Sequence, residues 1–176
     1  MNANGAPRFE EVVLPHLDAA YNLARWLVRD PSLAEDIVQD AVVRALQYFA
    51  SFRGEAGGRA WLLQIVRNAA YAAVKARRIG TDIPLDSDTG VAAAELPDPG
   101  PGPEALLVQR QDMEQLDMAL AALPIELREC LILCELERLS YKDIARVTGV
   151  PVGTVMSRLW RARQALMRFG AAGRLQ

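Results

Sequence analysis

The sequence has few aromatic residues, only 6% of its 176 positions, and no clear alternation of apolar and polar residues. β-Strands favour aromatic and β-branched residues in such an alternation, so these absences argue against a β-sheet protein. Apolar residues make up 51% of the chain, alanine and leucine are plentiful, and they recur at helical spacing. The sequence therefore predicts an all-α fold.

Long apolar runs are also missing. No stretch has the roughly 20 consecutive apolar residues that a membrane-spanning helix needs. The first residues, MNANGAPRFEE, lack the basic start and the apolar run of a secretory signal peptide. We therefore expect a soluble cytoplasmic protein that does not insert into a membrane.

Cysteine and histidine are rare as well: the chain has two cysteines, Cys130 and Cys134, and one histidine, His16. Two cysteines are too few for a disulfide framework. They lie one helical turn apart, close enough to share a metal or sense oxidation, but their apolar neighbours favour buried, inert thiols. His16 has no recognisable partner and is expected to be a satisfied or partly exposed helix residue.

Arrangements typical of enzymes are absent from the sequence. It contains no glycine-rich phosphate loop, no nucleophile and base at a recognisable spacing, and no pair of carboxylates in an evident pocket. We therefore expect no catalytic residue, no metal, no cofactor and no small-molecule substrate.

The charges are unevenly distributed along the chain. The formal net charge is −2, yet residues 144–176 contain six Lys or Arg and no acid, and residues 81–104 contain six acids and no base. The stretch 80–103 also holds five prolines and four glycines, which disfavour buried regular structure. It predicts a flexible acidic linker between two helical domains, 1–79 and 104–176. A coil of this length spans about 27 Å on average and about 80 Å when stretched, so the two domains can engage separate sites.

The stretch SYKDIARVTGVPVGTVMSRLW predicts a helix-turn-helix. Ser140 and Asp143 resemble a capping box at the start of the first helix. Ala145, Gly149 and Val155 supply a small residue at the helix crossing, a left-handed turn residue and an apolar anchor. The outward face of the second helix is basic and hydrogen-bonding: Thr154, Ser157, Arg158, Arg161 and Arg168. Such a helix fits the major groove of DNA, and the alternative is a solvated amphipathic helix with arginines by chance.

The segment PSLAEDIVQDAVVRALQYFASFRG predicts an amphipathic helix. Its apolar stripe comprises Val38, Ala41, Val42, Ala45 and Phe49. Another face carries acids and amides beside an exposed apolar residue: Asp36, Gln39, Asp40, Val43 and Gln47. Because carboxylates repel phosphate, this face suits protein docking better than nucleic-acid binding, and an ordinary solvated face is the alternative.

The loop FRGEAGGRAW and the helix RAWLLQIVRNAAYAAVKARR follow. The helix is expected to bury Leu62, Ile65, Ala69 and Ala73. Its far side mixes cations, amides and one aromatic ring: Gln64, Arg67, Asn68, Tyr71, Lys75 and Arg78. This mixture suits unstacked bases, which can be stacked and read at their edges. Phe52 and Trp61 fit either core packing, which is favoured for large aromatic residues, or base stacking.

At these motifs the chain resembles the extracytoplasmic-function (group IV) sigma factors of the sigma-70 family. The resemblance rests on EDIVQDAVVRAL, FRGEAGGRAWLLQIVRNAAYAAVKARR and LPIELRECLILCELERLSYKDIARVTGVPVGTVMSRLWRARQAL, in this order and with a linker between the last two. It implies a non-catalytic subunit that directs core RNA polymerase to promoters. Region 2 would occupy residues 1–79 and region 4 residues 104–176.

The resemblance also implies roles for individual residues. The β′ clamp of the polymerase would be bound by Asp36, Gln39, Asp40 and Val43. The −10 element would be captured and melted by Phe52, Arg53, Gly54, Arg59, Trp61, Asn68, Tyr71, Lys75, Arg77 and Arg78. The −35 element would be read by Thr154, Met156, Ser157, Arg158, Arg161 and Arg163. The other partners it implies are the polymerase β subunit, promoter DNA in duplex and melted form, and an anti-sigma factor that clamps both domains.

The sequence departs from the family pattern at two places. Met156 stands where many relatives have a basic or polar residue, so the base preference at the −35 element cannot be copied from a relative. Tyr71 and Ala72 stand where an acid is common, so the contacts next to them cannot be copied either. Two other classes stay open: a helix-turn-helix regulator that binds duplex DNA without polymerase, and an interaction protein whose basic tail is incidental.

Overall fold

The computed structural model describes residues 8–54, 57–80 and 114–173. Helices dominate this part of the chain and none of its residues forms a strand, which confirms the all-α prediction. The helices are α1 (Phe9–Val13), α2 (Leu17–Val28), α3 (Pro31–Tyr48), α4 (Gly57–Gly80), α5 (114–122), α6 (Ile125–Glu135), α7 (Tyr141–Thr148) and α8 (Val152–Gly173). Short 3-10 turns occupy Leu14–His16 and Phe49–Ser51. The predicted linker, apart from its first residue, lies outside the described residues.

Helices α2, α3 and α4 pack against one another as a bundle. Its core contains large side chains with almost no exposed surface, Leu23, Leu27, Leu62, Leu63 and Val66. Helix α2 ends at Arg29, whose φ of 56° is left-handed, and Asp30 caps α3 by accepting a hydrogen bond from the Leu33 N–H at 3.0 Å. Left-handed caps and Asp N-caps are common ways to end one helix and start the next, so the α2–α3 corner follows from local chemistry.

The start of α4 lies directly against the end of α1. A Cβ atom built on Gly58 would lie 2.5 Å from the carbonyl oxygen of Val12, closer than real Cβ contacts come. Glycine at this position is what allows the two backbones to approach.

Residues 114–173, which include helices α5 to α8, form the second half of the molecule, and α7 and α8 form the predicted helix-turn-helix. The Ser140 hydroxyl accepts a hydrogen bond from the Asp143 N–H at 3.1 Å. Gly149 ends α7 with a φ of 72°, and its N–H donates to the Ala145 carbonyl at 2.9 Å. Val155 is fully buried, as predicted for the anchor of the second helix.

The two halves of the chain pack against each other. Helix α6 contacts α2, helix α7 contacts α4, and the buried apolar residues of both halves form one cluster. Within the described residues, no helix combines the length and the apolar character needed to cross a membrane.

Candidate nucleic-acid and protein interfaces

The polar side of α3 faces away from the core. Asp36, Gln39, Asp40 and Val43, here called the α3 face, are all exposed, and Val43 keeps 54% of its surface. The opposite side of the helix buries Ala34, Ile37, Ala41 and Ala45. Leu46 is 60% exposed and extends the apolar part of the face. The sequence reasoning missed it, although it lies three residues after Val43 and therefore on the same side of the helix.

The charges of the α3 face are only lightly paired. Oδ2 of Asp40 lies 2.8 Å from Nε of Arg44, one turn further along, and both side chains are about half exposed. An exposed pair at this spacing is weak and easily exchanged for another cation. The face therefore presents carboxylates around an apolar centre, which suits a protein surface that carries cations.

Aromatic rings pack on one another beside the loop that precedes α4. The ring of Phe52 lies 4.9 Å from that of Trp61 and is stacked 5.8 Å from that of Phe49, measured between ring centroids. Phe52 and Trp61 are half-buried, and Trp61 packs against the buried core, as favoured for that residue from the sequence. Arg53 and Gly54 are exposed, and Gly54 has a φ of 76°. The rings therefore support a loop whose exposed part is cationic.

The outward side of α4 carries an amide, a ring and a cation, whereas Arg67, predicted to lie on this side, turns inward and keeps only 17% of its side chain exposed. Asn68 and Lys75 are exposed, whereas Tyr71 is half-buried. The Arg67 guanidinium lies 4.1 Å from the Tyr71 ring centroid, a cation–π distance, and donates to the Asn68 Oδ1 at 3.5 Å. Burial, together with the nearby Glu129 carboxylate, raises the pKa of Tyr71 far above its ordinary value, so the phenol stays protonated.

The end of α4 carries two further residues predicted to contact the −10 element. Nη2 of Arg77 donates to Oδ2 of Asp30 at 2.6 Å, whereas Arg78 is exposed. The Leu33 N–H and the Arg77 guanidinium hold the pKa of Asp30 below its ordinary value. Arg77 thus ties the end of α4 to the start of α3.

The first turns of α8 expose hydrogen-bonding side chains. Met156, Ser157 and Arg161 are exposed and Thr154 is half-buried. The Ser157 hydroxyl donates to the Thr154 carbonyl at 3.0 Å, and Nε of Arg161 donates to the Ser157 carbonyl at 3.4 Å. These local bonds hold the side chains along the start of the helix, where a recognition helix reads base edges.

Two of the arginines predicted for the −35 element lie in ion pairs with α6. Nη2 of Arg163 donates to Oε1 of Glu135 at 2.6 Å on the surface. Nη1 of Arg158 donates to Oε1 of Glu129 at 3.2 Å, and only 16% of the Arg158 side chain is exposed. The prediction that Arg158 lies on the outward face was therefore wrong. Arg158 borders the buried stripe of α8, and its long side chain turns inward to a buried carboxylate.

Glu129 is fully buried and binds two arginines at once. Besides Arg158, it accepts from Arg67, whose Nε lies 2.8 Å from Oε2 and whose Nη2 lies 3.3 Å from Oε1. The sequence reasoning missed Glu129. Its signal is an acid next to the apolar run CLILC, since a buried carboxylate needs cations to offset the loss of its hydration. Because Arg67 belongs to α4 and Arg158 to α8, one carboxylate joins the two halves.

Other polar contacts cross between the halves. The buried carboxylate of Glu137 accepts from Arg59 and, at 3.4 Å, from Asn22. Nη2 of Arg29 lies 2.8 Å from Oδ2 of Asp117 and Nη1 donates to the Asp117 carbonyl at 3.1 Å. Arg59, which is predicted to contact the −10 element, is therefore engaged by the second half of the same chain.

Arg128 is a buried cation at the same boundary. It donates to the carbonyl oxygens of Leu27 at 3.5 Å, Leu120 at 3.4 Å and Ala121 at 3.3 Å. Burial lowers its pKa to about 10, so it remains charged at neutral pH. A cation at the carbonyl ends of α2 and α5 offsets the partial negative charge there and links the two halves.

The cysteines and the histidine have separate environments. Cys130 is buried, which confirms the expectation of a buried thiol, and burial raises the pKa of this thiol to about 11. Cys134 is only half-buried, so that expectation holds for it in part. Burial and the nearby Arg59 lower the pKa of the half-buried His16. Across residues 8–54, 57–80 and 114–173, no three His, Cys, Asp or Glu side chains are placed to hold a metal ion.

Comparisons with known proteins match both halves of the chain. The family profile "Sigma-70 region 2" matches residues 12–79 and the profile "Sigma-70, region 4" matches residues 113–166. The chain is 33% identical over 166 residues to the RNA polymerase sigma-H factor of Pseudomonas aeruginosa. The alignment covers 90% of this chain and 83% of that protein. The chain is 35% identical over 139 residues to the ECF RNA polymerase sigma-E factor of Escherichia coli K12, covering 74% and 70%.

A solved structure is similar over nearly the whole chain. It is the sigma factor RpoE in complex with the anti-sigma factor NepR from Bartonella quintana. The TM-score is 0.74 at 28% identity, with 92% of this chain and 95% of that chain covered. The chain therefore belongs to the extracytoplasmic-function sigma factors of the sigma-70 family, which direct the initiation of transcription.

Proposed function

We propose that this sigma factor docks on core RNA polymerase through the α3 face and carries two separate DNA-reading surfaces, one on α4 and one on α8. The observation that carries the proposal is the start of α8. There an anchored helix-turn-helix leaves Met156, Ser157 and Arg161 exposed, in the position from which a recognition helix meets base edges. In this role the chain is a non-catalytic subunit of the polymerase.

The α3 face is the proposed contact to the β′ clamp. Its exposed carboxylates repel DNA phosphates but attract cations on a protein surface. Val43 and Leu46 supply apolar surface at its centre, 54% and 60% exposed, which a docked partner would remove from water.

The loop before α4 and the outward side of α4 are proposed to capture the −10 element. Exposed Arg53 and Lys75 can hold phosphates, and exposed Asn68 can pair with the edge of an unstacked base. Phe52 and Trp61 act in this proposal by supporting the loop, because their rings pack against each other. Arg59 contributes to DNA binding only after it leaves Glu137.

The start of α8 is proposed to read the −35 element. Arg161 has the geometry for a base edge or a phosphate, and Ser157 and Thr154 have hydroxyls for either. Arg158 lies behind this surface with Glu129, so it reaches DNA only when that ion pair opens. Met156 adds an apolar contact, for which the methyl group of thymine is the natural partner.

An anti-sigma factor and the polymerase β subunit complete the proposed partners. The structure of RpoE from Bartonella quintana, similar to this chain over nearly its full length, holds the anti-sigma factor NepR. That likeness supports a protein inhibitor for this chain too, which would cover the DNA-reading surfaces.

Run-off transcription tests the proposal. Purified core polymerase is given a library of genomic fragments with and without this protein, and the start sites are mapped. We expect protein-dependent starts that share two upstream motifs. If a folded, inhibitor-free preparation yields no new starts, the proposal is overturned in favour of a conventional helix-turn-helix regulator.

Arg161→Ala provides a matched internal test in the same assay. Arg168 is an exposed arginine on the same helix and nearly the same side, two turns further along, so Arg168→Ala is its control. We expect Arg161→Ala to lower promoter-specific initiation by roughly 5- to 150-fold, equivalent to about 1–3 kcal/mol, if it makes a bidentate base contact. Equal effects of the two variants would contradict a special role for the start of α8.

A further inference from the structure

Among residues 8–54, 57–80 and 114–173, three ion pairs join the two halves of the chain, and all three have the same polarity. The arginine comes from α2 or α4 and the carboxylate comes from the second half. We call these pairs the interdomain lock: Arg67 with Glu129, Arg59 with Glu137, and Arg29 with Asp117. A consistent polarity makes the two surfaces electrostatically complementary, which is how interfaces fix one orientation against others.

The acidic side of the lock is largely buried. Glu129 is 0% exposed and Glu137 is 4% exposed. Buried carboxylates are costly without well-placed cations, so the pairs tolerate one relative position of the halves and penalise small displacements. The lock therefore defines a specific packed state.

This packed state prevents simultaneous binding to two distant promoter elements. Nη2 of Arg67 and Nη1 of Arg158 donate to the same oxygen, Oε1 of Glu129, at 3.3 and 3.2 Å, so side chains of α4 and α8 meet at one carboxylate of α6. The −10 and −35 elements lie about one and a half helical turns apart, roughly 50–60 Å at 34–36 Å per turn. The halves must separate before both elements can be read.

We infer that the interdomain lock holds the free chain in an autoinhibited state, without any second protein. In that state Arg59, which belongs to a proposed DNA surface, is bound to Glu137 of the other half. Promoter phosphates on the polymerase compete for Arg59, and water rehydrates the released carboxylate. When the halves separate, Glu129 loses Arg67 but keeps its ion pair with Arg158, which lies in its own half.

Two carboxylates of the lock suit a test because their described side-chain contacts all cross between the halves. Glu137 binds Arg59 and Asn22, and Asp117 binds Arg29. Neither acid is part of a proposed DNA or polymerase surface. The test variant is Glu137→Gln with Asp117→Asn, which removes both charges at almost constant volume.

The matched control is Glu135→Gln. Glu135 is also an acid of the second half in an arginine ion pair, but its partner Arg163 lies in the same half. The control loses an ion pair without touching the lock. The single variant Asp117→Asn, at a side chain that is 35% exposed, is used if circular dichroism finds the double variant unfolded.

Small-angle X-ray scattering on the full chain shows whether the two halves stay packed, because their separation increases the radius of gyration. A compact chain of this length has a radius of gyration of roughly 16 Å. We expect the double variant to exceed the wild type by about 5 Å or more, with the Glu135→Gln control unchanged. Equal radii for wild type and double variant, or an equal increase in the control, would overturn the lock.

Binding of a nonspecific 30-base-pair duplex, without polymerase and at fixed salt, measures the inhibition. We expect the double variant to bind at least about threefold more tightly than the wild type, because the freed Arg59 adds a phosphate contact. Since Glu135→Gln frees Arg163, a predicted −35 contact, the control for duplex binding is Asp143→Asn, which breaks an ion pair with Arg146 inside the second half and should leave the affinity unchanged. Separation of the halves without tighter DNA binding would overturn the autoinhibitory role.

The inference rests on the proposed DNA surfaces, but its failure is distinguishable from theirs. Scattering reports the lock whether or not the protein initiates transcription. A chain that opens and binds duplex more tightly, yet gives no new starts in the run-off assay, would keep the inference and refute the proposed function. Conversely, protein-dependent starts in the run-off assay, together with equal radii of gyration for the wild type and the double variant, would support the proposed function and refute the interdomain lock.

Discussion

Asp30 combines two stabilising contacts in one carboxylate, and substitutions can separate them. Its Oδ1 caps α3 at the Leu33 N–H, and its Oδ2 binds Arg77. We expect Asp30→Ala to lower the free energy of unfolding by about 0.5–2 kcal/mol, the usual range for a lost N-cap. Asp30→Asn keeps an acceptor for the cap and loses only the charge, so it should cost clearly less. Urea unfolding of both variants measures the difference, and equal losses would mean that the Arg77 pair dominates.

The contribution of Asp30 to the free energy of unfolding is also expected to depend on pH. The pKa of Asp30 lies below its ordinary value, because the Leu33 N–H and the Arg77 guanidinium stabilise the ionised form. Its contribution is therefore present above the unfolded-state pKa and is lost as the pH falls through the lowered pKa of the folded state. The stability gap between wild type and Asp30→Asn should shrink over that acidic range.

Residue positions were easier to predict from sequence than side-chain partners. Helical spacing placed Asp36, Asp40 and Val43 on an exposed face, and the structure agrees. The same spacing placed Arg158 on the outward side, where its Cα position gave no sign of the inward turn. Periodicity fixes the direction of Cα–Cβ bonds, but the end of a long arginine side chain goes where a counter-charge is, and Glu129 lies on another helix.

The helix-turn-helix depends on the left-handed backbone conformation of Gly149. Substitution of the nearby Gly153, which lies in a helix, is the control. Gly149 has a φ of 72°, whereas Gly153 lies in α8, and a Cβ built on either would meet nothing within 4 Å. We expect Gly149→Ala to lower the free energy of unfolding by about 1–2 kcal/mol through left-handed strain. Gly153→Ala should be neutral or stabilising by up to about 1 kcal/mol, since alanine favours helix. Denaturant unfolding compares them, and a similar loss in both would contradict a backbone cause.

Elements defined by local chemistry were predictable. The Ser140 cap, the left-handed Gly149 and the anchor Val155 are read from neighbours along the chain, and all three occur in the structure as expected. The close approach of Gly58 to Val12 was not predicted, because it depends on which helix packs against the start of α4. Local rules identify caps and turns, whereas the need for a missing Cβ arises only from tertiary packing.

The arrangement of the two halves could not be obtained from the sequence. The carboxylates of the interdomain lock follow no helical period and look in the sequence like ordinary polar positions; they are Asp117, Glu129 and Glu137. Their arginine partners in the first half lie 62 to 88 residues away, so each of these pairs becomes visible only when both halves are folded and packed. At this scale Arg59 has two sets of partners, the Glu137 carboxylate in the packed state and phosphates in the proposed bound state.

Docking to the polymerase is a property of the whole molecule, since the α3 face must hold the chain while α4 and α8 reach DNA. We expect Asp40→Lys to weaken binding to core RNA polymerase by about tenfold or more, near 1.4 kcal/mol, because a cation replaces an acid in a face proposed to meet cations. Stability should change by less than about 0.5 kcal/mol, since only the exposed Arg44 pair is lost. Asp18→Lys reverses an exposed acid on α2 and is the matched control. Fluorescence anisotropy with labelled core enzyme gives both affinities, and equal values for wild type and Asp40→Lys would remove α3 as the docking helix.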